Sequence, residues 1–169
     1  MMNDQLLFNE KVVSKRTEIL FVALALLFLL LLTWRIISAG QDLLATILLF
    51  FFCIFLFYSL NYRTLIIRLT AESLKLSFGI FSLTIPLSNV GDCQLDDGLP
   101  PLMKYGGAGI HFMVIRKRYR ASFNFLEHAR IVIRLKKRAG LVKEVSFSTC
   151  RPDELGALIQ GAISARKTG

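Results

Sequence analysis

The 169 residues read as an α+β membrane protein: a hairpin of two membrane-spanning helices, then a small antiparallel β-system closed by one C-terminal helix. Three observations predict this. Two apolar runs, Ile19 to Trp34 and Leu43 to Leu60, are separated by only a few residues. From Thr64 the hydrophobic pattern changes to period two, the mark of half-buried strands. After Pro152 it changes again, to the spacing of an amphipathic helix.

The first apolar run, with Ile36 and Ile37, reaches about 19 residues, which at about 1.5 Å per residue approaches a hydrocarbon core of about 30 Å. Arg35 is the only charge between Ile19 and Gln41, and none occurs from Leu43 to Tyr62. Both runs are apolar all round, unlike the helices of a soluble surface. Trp34 at one end, and Tyr58 and Tyr62 at the other, suit a membrane–water interface. The connection Ser38–Asp42 is so short that the helices must be antiparallel, with both chain ends on one side. Lys11, Lys15 and Arg16 precede the hairpin, and Arg63 and Arg68 follow it. Arg35 at the tip is balanced by Asp42. The positive-inside rule then places both termini in the cytoplasm of a cell whose inner (plasma) membrane holds the hairpin. The chain divides into a cytoplasmic N-terminal segment (1–18), the hairpin (19–62) and a cytoplasmic domain (63–169).

In that domain, Leu65, Ile67 and Leu69 share one face. Leu74, Leu76 and Phe78 share the next, and Phe81, Leu83 and Ile85 a third. The connections around Ala71 and Gly79 are tight enough for hairpins. Further strands are expected at 90–95, 110–115, 121–125, 130–137 and 142–149. A long Pro- and Gly-rich loop, 96–109, interrupts them. Pro152 suits a first helical turn, and Asp153 and Glu154 complement its dipole. Leu155, Leu158, Ile159, Ala162 and Ile163 then form one apolar stripe. About seven antiparallel strands and one capping helix describe a β-sandwich or partly open barrel.

The run from Arg63 to Leu95 resembles the opening of bacterial pleckstrin-homology-like (PH-like) domains, in which a membrane span leads into a short strand. A T-x-E-x-L turn and a G-x-F-x-x-x-I-P segment follow. Here these are Thr70, Glu72 and Leu74, then Gly79, Phe81, Ile85 and Pro86. The stretches YGGAGI and TCRPDELGALI look like segments of two-span membrane proteins that carry such a domain. The resemblance covers roughly 60–165 and implies a PH-like fold, with no shared activity. Lipid-headgroup sites of that family draw on cations around the first strand-to-strand loop. Thr70–Ser73 offers one acid and no cation, which argues against a pocket of that type.

Charge points to the candidate site. After residue 60 the chain holds 17 Lys and Arg against 8 Asp and Glu, so the whole net charge of +9 belongs to the β-rich domain. Arg116, Lys117, Arg118 and Arg120 are expected at a solvent-facing hairpin or strand end, with Lys136, Lys137 and Arg138 joining them if the two turns lie on one side. Each juxtamembrane cation contributes ~1 kcal/mol near an anionic leaflet. The expected partners are the bilayer, anionic lipid headgroups or a membrane-protein complex. Nucleic acid is disfavoured, because Phe123 and Phe125 alternate like core residues rather than stacking platforms.

No cofactor, metal or catalytic residue is expected. Tyr105–Gly109 lacks the Lys-Ser/Thr of a phosphate loop and the GxGxxG of a dinucleotide loop. Asp92, Asp96 and Asp97 form the only acidic cluster, and His111 and His128 are far apart. Cys53, Cys93 and Cys150 show neither CxxC spacing nor a disulfide pattern. The chain is therefore expected to be a non-enzymatic interaction module presenting a basic surface. The alternative is an accessory subunit of a membrane enzyme or transporter, its hairpin packed on partner helices through small residues such as Ala23, Ala25 and Ala45.

Overall fold

The computed structural model describes residues 6–96, 109–115, 117–125 and 127–165. The protein has two long apolar helices, two sheets and a C-terminal helix. Helices α1 (Lys15–Ala39) and α2 (Leu43–Asn61) form the antiparallel hairpin. Ser14 caps α1 by accepting from the Thr17 amide, and Asp42 caps α2 by accepting from the Ala45 amide. Asp42 also pairs with Arg35 across the tip. At about 1.5 Å per residue, both helices are long enough to cross a membrane. Their outer surfaces are carbon: Leu30, Ile37 and Leu43 are among many exposed apolar side chains. Ala25 and Ala45 are buried, and Phe28 stacks between Phe51 and Phe55.

Strand β1 (Leu6–Val13) precedes the hairpin and pairs antiparallel with β2 (Thr64–Thr70), which follows it. Residues Leu6–Val13 of the N-terminal segment are thus a strand of the same sheet as β2. β3 (Ser73–Phe78) and β4 (Phe81–Pro86) complete a meander of order β1-β2-β3-β4. Leu65, Ile67, Leu69, Leu74, Leu76 and Phe78 point inward and are fully buried. Burial of such a side chain is worth roughly 1.5–3 kcal/mol, and this sets the register.

A short 3₁₀ turn (Leu87–Asn89) leads into the second sheet. This contains β5 (Val90–Leu95), β6 (Gly109–Ile115), β7 (Arg118–Asn124), β8 (Ala129–Ala139) and β9 (Val142–Thr149), in the order β5-β8-β9-β7-β6. The described residues therefore form nine strands rather than about seven. One pair, β7 with β9, is parallel. The chain leaves β7 and starts β8 one position away, so β9 returns into the gap beside β7. Ile131, Ile133, Leu135, Val145 and Phe147 form the inner face, as their alternation predicts.

Helix α3 (Pro152–Ala165) buries Leu155, Ile159 and Ile163 against this core. Gln160 fixes it by donating to the Cys93 carbonyl at 2.7 Å. A chain of rings joins the helices to the domain: Phe21 to Tyr58 (5.3 Å), Tyr58 to Tyr62 (4.8 Å), Tyr62 to Phe78 (4.9 Å) and Phe78 to Phe125 (5.1 Å). Tyr62 is buried in the domain core, so it does not serve as an interfacial anchor.

Candidate interaction site

The basic residues gather at one end of the five-stranded sheet. β7 and β9 both begin there and β8 ends there. Lys117 occupies the β6–β7 turn with φ 63°, a left-handed conformation, and is exposed. Arg116 lies outside the described residues. Lys136, Lys137 and Arg138 are exposed at the end of β8. Asn89 holds this end in place: its side chain accepts from the Lys137 amide at 2.7 Å and donates to the Lys137 carbonyl at 3.1 Å. The Lys143 ammonium donates to the Lys136 carbonyl at 2.9 Å. The two turns do lie on one side.

That side is remote from the hairpin. The near end of β8 is marked by His128, whose Nε2 lies 2.9 Å from the Val13 carbonyl, and by Glu127, which pairs with Arg16 at 3.4 Å. Ala129 to Ala139 then carries the chain about 33 Å away at ~3.3 Å per residue. Lys117 and Lys136–Arg138 therefore stand at the opposite end of the domain from α1 and α2.

Arg120 departs from the expected solvent-facing role. β-Alternation turns it onto the outer face of the sheet with Arg118, Ser122 and Asn124, where it meets two acids. Its Nη1 donates to both Asp96 oxygens at 3.1 Å, and its Nε and Nη2 donate to Glu144 at 3.1 and 2.8 Å. Arg118 donates to the other Glu144 oxygen at 3.0 Å, and Arg134 approaches it at 3.7 Å. Burial alone would push the Glu144 carboxyl up. The hydrogen bonds from Arg120 and Arg118 outweigh it, and the group is held below its ordinary value. These charges line a polar cleft of about 240 Å³ with Asp92 and Gln94. Three acids face three arginines there, so the cleft adds no surplus charge for an anion. Its evident work is to tie β5, β7, β8 and β9 together.

Asp92 and Asp96 do not converge with His111 or His128 among the described residues; His128 instead has Glu127 at 4.0 Å. Asp92 accepts from Gln94 and from the Cys93 amide. His111 is on the outer face of β6, while His128 is at the hairpin end beside Cys150 (3.6 Å). Asp97 lies outside the described residues. A second polar layer on the outer face is made of hydroxyls: Ser122 and Ser146 are 2.9 Å apart, and Ser148 accepts from the Phe125 amide at 2.8 Å.

A feature that strand alternation does not reveal is an apolar groove of about 550 Å³ along β4. Its floor is the inner face of the second sheet, including Ala121, Phe123 and Val145. Phe81, Leu83 and Phe112 form its walls. Tyr62 closes the end beside the hairpin, and Asn89, Ala139 and Val142 form the end beside the basic turn. The four-stranded sheet stops at β4, so it leaves this part of the five-stranded sheet uncovered. No protein-family model, curated protein or solved structure matches the chain.

Proposed function

We propose that this chain is a membrane-anchored, non-enzymatic binding module. The hairpin sits in the inner (plasma) membrane with both chain ends in the cytoplasm. The domain is PH-like and offers its basic far end to an anionic partner. The observation that carries this reading is the pairing of β1 with β2 directly beneath α1 and α2. Strands that flank the hairpin on both sides belong to one sheet, so the domain stands on its anchor as one body. The Glu18–Arg63 ion pair at the base reinforces that junction. A four-strand meander, a second sheet and a C-terminal helix across the core support the PH-like reading. The five-stranded second sheet and its parallel pair are this chain's departures from a plain antiparallel system.

The position of the basic turns modifies what they would touch. About 33 Å from the hairpin end, they face away from the anchoring bilayer. A partner arriving from the cytoplasm meets them first, and tethering raises the effective concentration of a weak contact. Of the small residues on which the accessory-subunit reading rests, Ala25 and Ala45 are buried while Ala23 is exposed on the hairpin surface, so that reading stands as the alternative.

The test uses the full chain in neutral-lipid nanodiscs, mixed with separate vesicles of phosphatidylglycerol or phosphatidylcholine. Tethering of the anionic vesicles alone is expected, at low salt and not at high salt. It should be lost in the K136Q/K137Q/R138Q variant. Equal tethering by that variant, or release of the chain from native membranes by an alkaline wash, overturns the reading.

A further inference from the structure

We infer that the groove along β4 is a binding site for a single-chain, long-chain acyl anion, with its tail on the inner sheet face and its carboxylate at the Lys136–Arg138 turn. This deepens the reading above by naming the anion its basic end would take.

The groove has the shape and chemistry of a tail site. At about 550 Å³ it lies within the roughly 300–1,000 Å³ of small-molecule sites. Counted in units of ~30 Å³, it holds on the order of eighteen such groups, the size of one long alkyl chain. β4 runs its whole length, so it is about 20 Å long at ~3.3 Å per residue. Phe112 is 72 % exposed and Phe81 43 % exposed, although both border the groove. Covering them with a hydrocarbon chain removes apolar surface from water at about 25 cal/mol per Å².

The two ends differ, and this orients the ligand. The inner end is closed by the Tyr62 ring, which packs tilted against Phe78, and no cation lines it among the described residues. The outer end is formed by Ala139, Val142 and Asn89. Arg138 immediately precedes Ala139, and Asn89 is bonded through both side-chain polar atoms to the Lys137 backbone. Lys136, Lys137 and Arg138 are exposed, and no ion pair joins them to an acid among the described residues; Glu144 and Asp96 are engaged with Arg120, while Glu72, in the turn after β2, is the exposed acid at this end. Among the described residues that border the groove, an anionic head meets unpaired positive charge at this end. A peptide strand could pair with the open edge of β4, but its backbone brings no negative charge to the basic outer end.

The experiment is photolabelling of the full chain in phosphatidylcholine nanodiscs, with a diazirine-bearing long-chain fatty acid and its uncharged alcohol analogue. Labelled residues are mapped by peptide mass spectrometry. The expected result is fatty-acid labelling on β4, β6 and β7, around Leu83, Phe112 and Phe123, with the alcohol labelling these positions far less. K137Q/R138Q should reduce that labelling roughly fivefold for each cation removed. Ala121→Leu, which narrows the floor, should reduce it without altering labelling of the helices. Label confined to Ile19–Leu60, or equal groove labelling by acid and alcohol, overturns the proposal. So does full competition by phosphatidylglycerol in the disc, which would make the site one for a two-chain lipid. Groove labelling that persists when vesicle tethering fails would sink the tethering reading alone.

Discussion

Glu10 on β1 and Thr149 at the end of β9 are joined by a buried hydrogen bond, the Thr149 hydroxyl donating to the carboxylate at 2.5 Å across 139 residues of sequence. The same carboxylate accepts from the Cys150 amide at 3.2 Å and lies 3.7 Å from Arg151. Arg151 in turn covers the Phe8 ring at 4.3 Å and donates to the Asn9 carbonyl. β1 is thus fastened to the β9–α3 corner as well as to β2. Glu10→Ala leaves a hydroxyl and an amide without their acceptor, at about 1–3 kcal/mol. The expected outcome, read by urea unfolding and limited proteolysis of the full chain in detergent, is lower stability with early cleavage within 6–13. Unchanged proteolysis would show that β1 is held by β2 alone.

The Arg120 cluster makes the fold sensitive to acid. The Glu144 carboxyl titrates below its ordinary value of 4.5 when folded. Its contribution is therefore complete above that value and is lost as the pH falls through the lower, folded one. Thermal unfolding followed downward from pH 6 should show stability falling below about pH 4.5. Glu144→Gln should flatten that fall. Arg120→Ala, which leaves Glu144 and Asp96 without their main partner, should be destabilising by about 3–5 kcal/mol at neutral pH. A variant no less stable than the parent would mean that the cluster is dispensable.

Gly79 is fixed by the end of α2. It has φ +60°, and a Cβ there would lie 2.4 Å from the Asn61 carbonyl oxygen. Gly140 has the same φ and nothing within 4 Å of the equivalent position. Gly140→Ala should therefore cost about 1 kcal/mol, from backbone strain alone. Gly79→Ala should cost about 3 kcal/mol or more, because backbone must move. Equal destabilisation of the two, by the same unfolding assay, would dissolve the contact between this turn and the hairpin.

Cys93 should be inert. Burial, and secondarily the neighbouring Asp92, push its thiol up to about 12. A maleimide at pH 7.5 should modify exposed Cys150 and leave Cys93 untouched until the domain is unfolded. In intact inside-out membrane vesicles the same reagent should reach Cys150 from the cytoplasmic face. Modification only from the opposite face would reverse the proposed orientation.

How far these features were legible varies with the range of the signal. The hairpin, the β2–β4 meander and α3 were readable, because their residues speak locally: Leu65, Ile67 and Leu69 alternate, and Leu155, Ile159 and Ile163 recur by helical turns. β1 was not, because its central inward position is Glu10, which breaks the apolar alternation and is explained only by Thr149 and Cys150 at the other end of the chain. Arg120 was misplaced for the same reason. Its neighbours advertise a charged turn, while Glu144, which holds it inside, is a lone acid in a distant strand. The outer-face pattern Glu144, Ser146, Ser148 carried part of that signal, since it places an acid on the face that Arg120 shares. The groove is less legible still, because it arises from two sheets of unequal width.

The nesting of the hairpin between β1 and β2 has a consequence for biosynthesis. On the proposed topology, β1 leaves the ribosome before β2 and has no edge to join until the polypeptide has crossed a lipid phase and returned. A molecule whose second helix failed to come back would strand Thr64 on the wrong side and could never close its meander. On that topology, closure of the meander in the head would report that both helices of the anchor had inserted, and inspecting the former would suffice to reject errors in the latter.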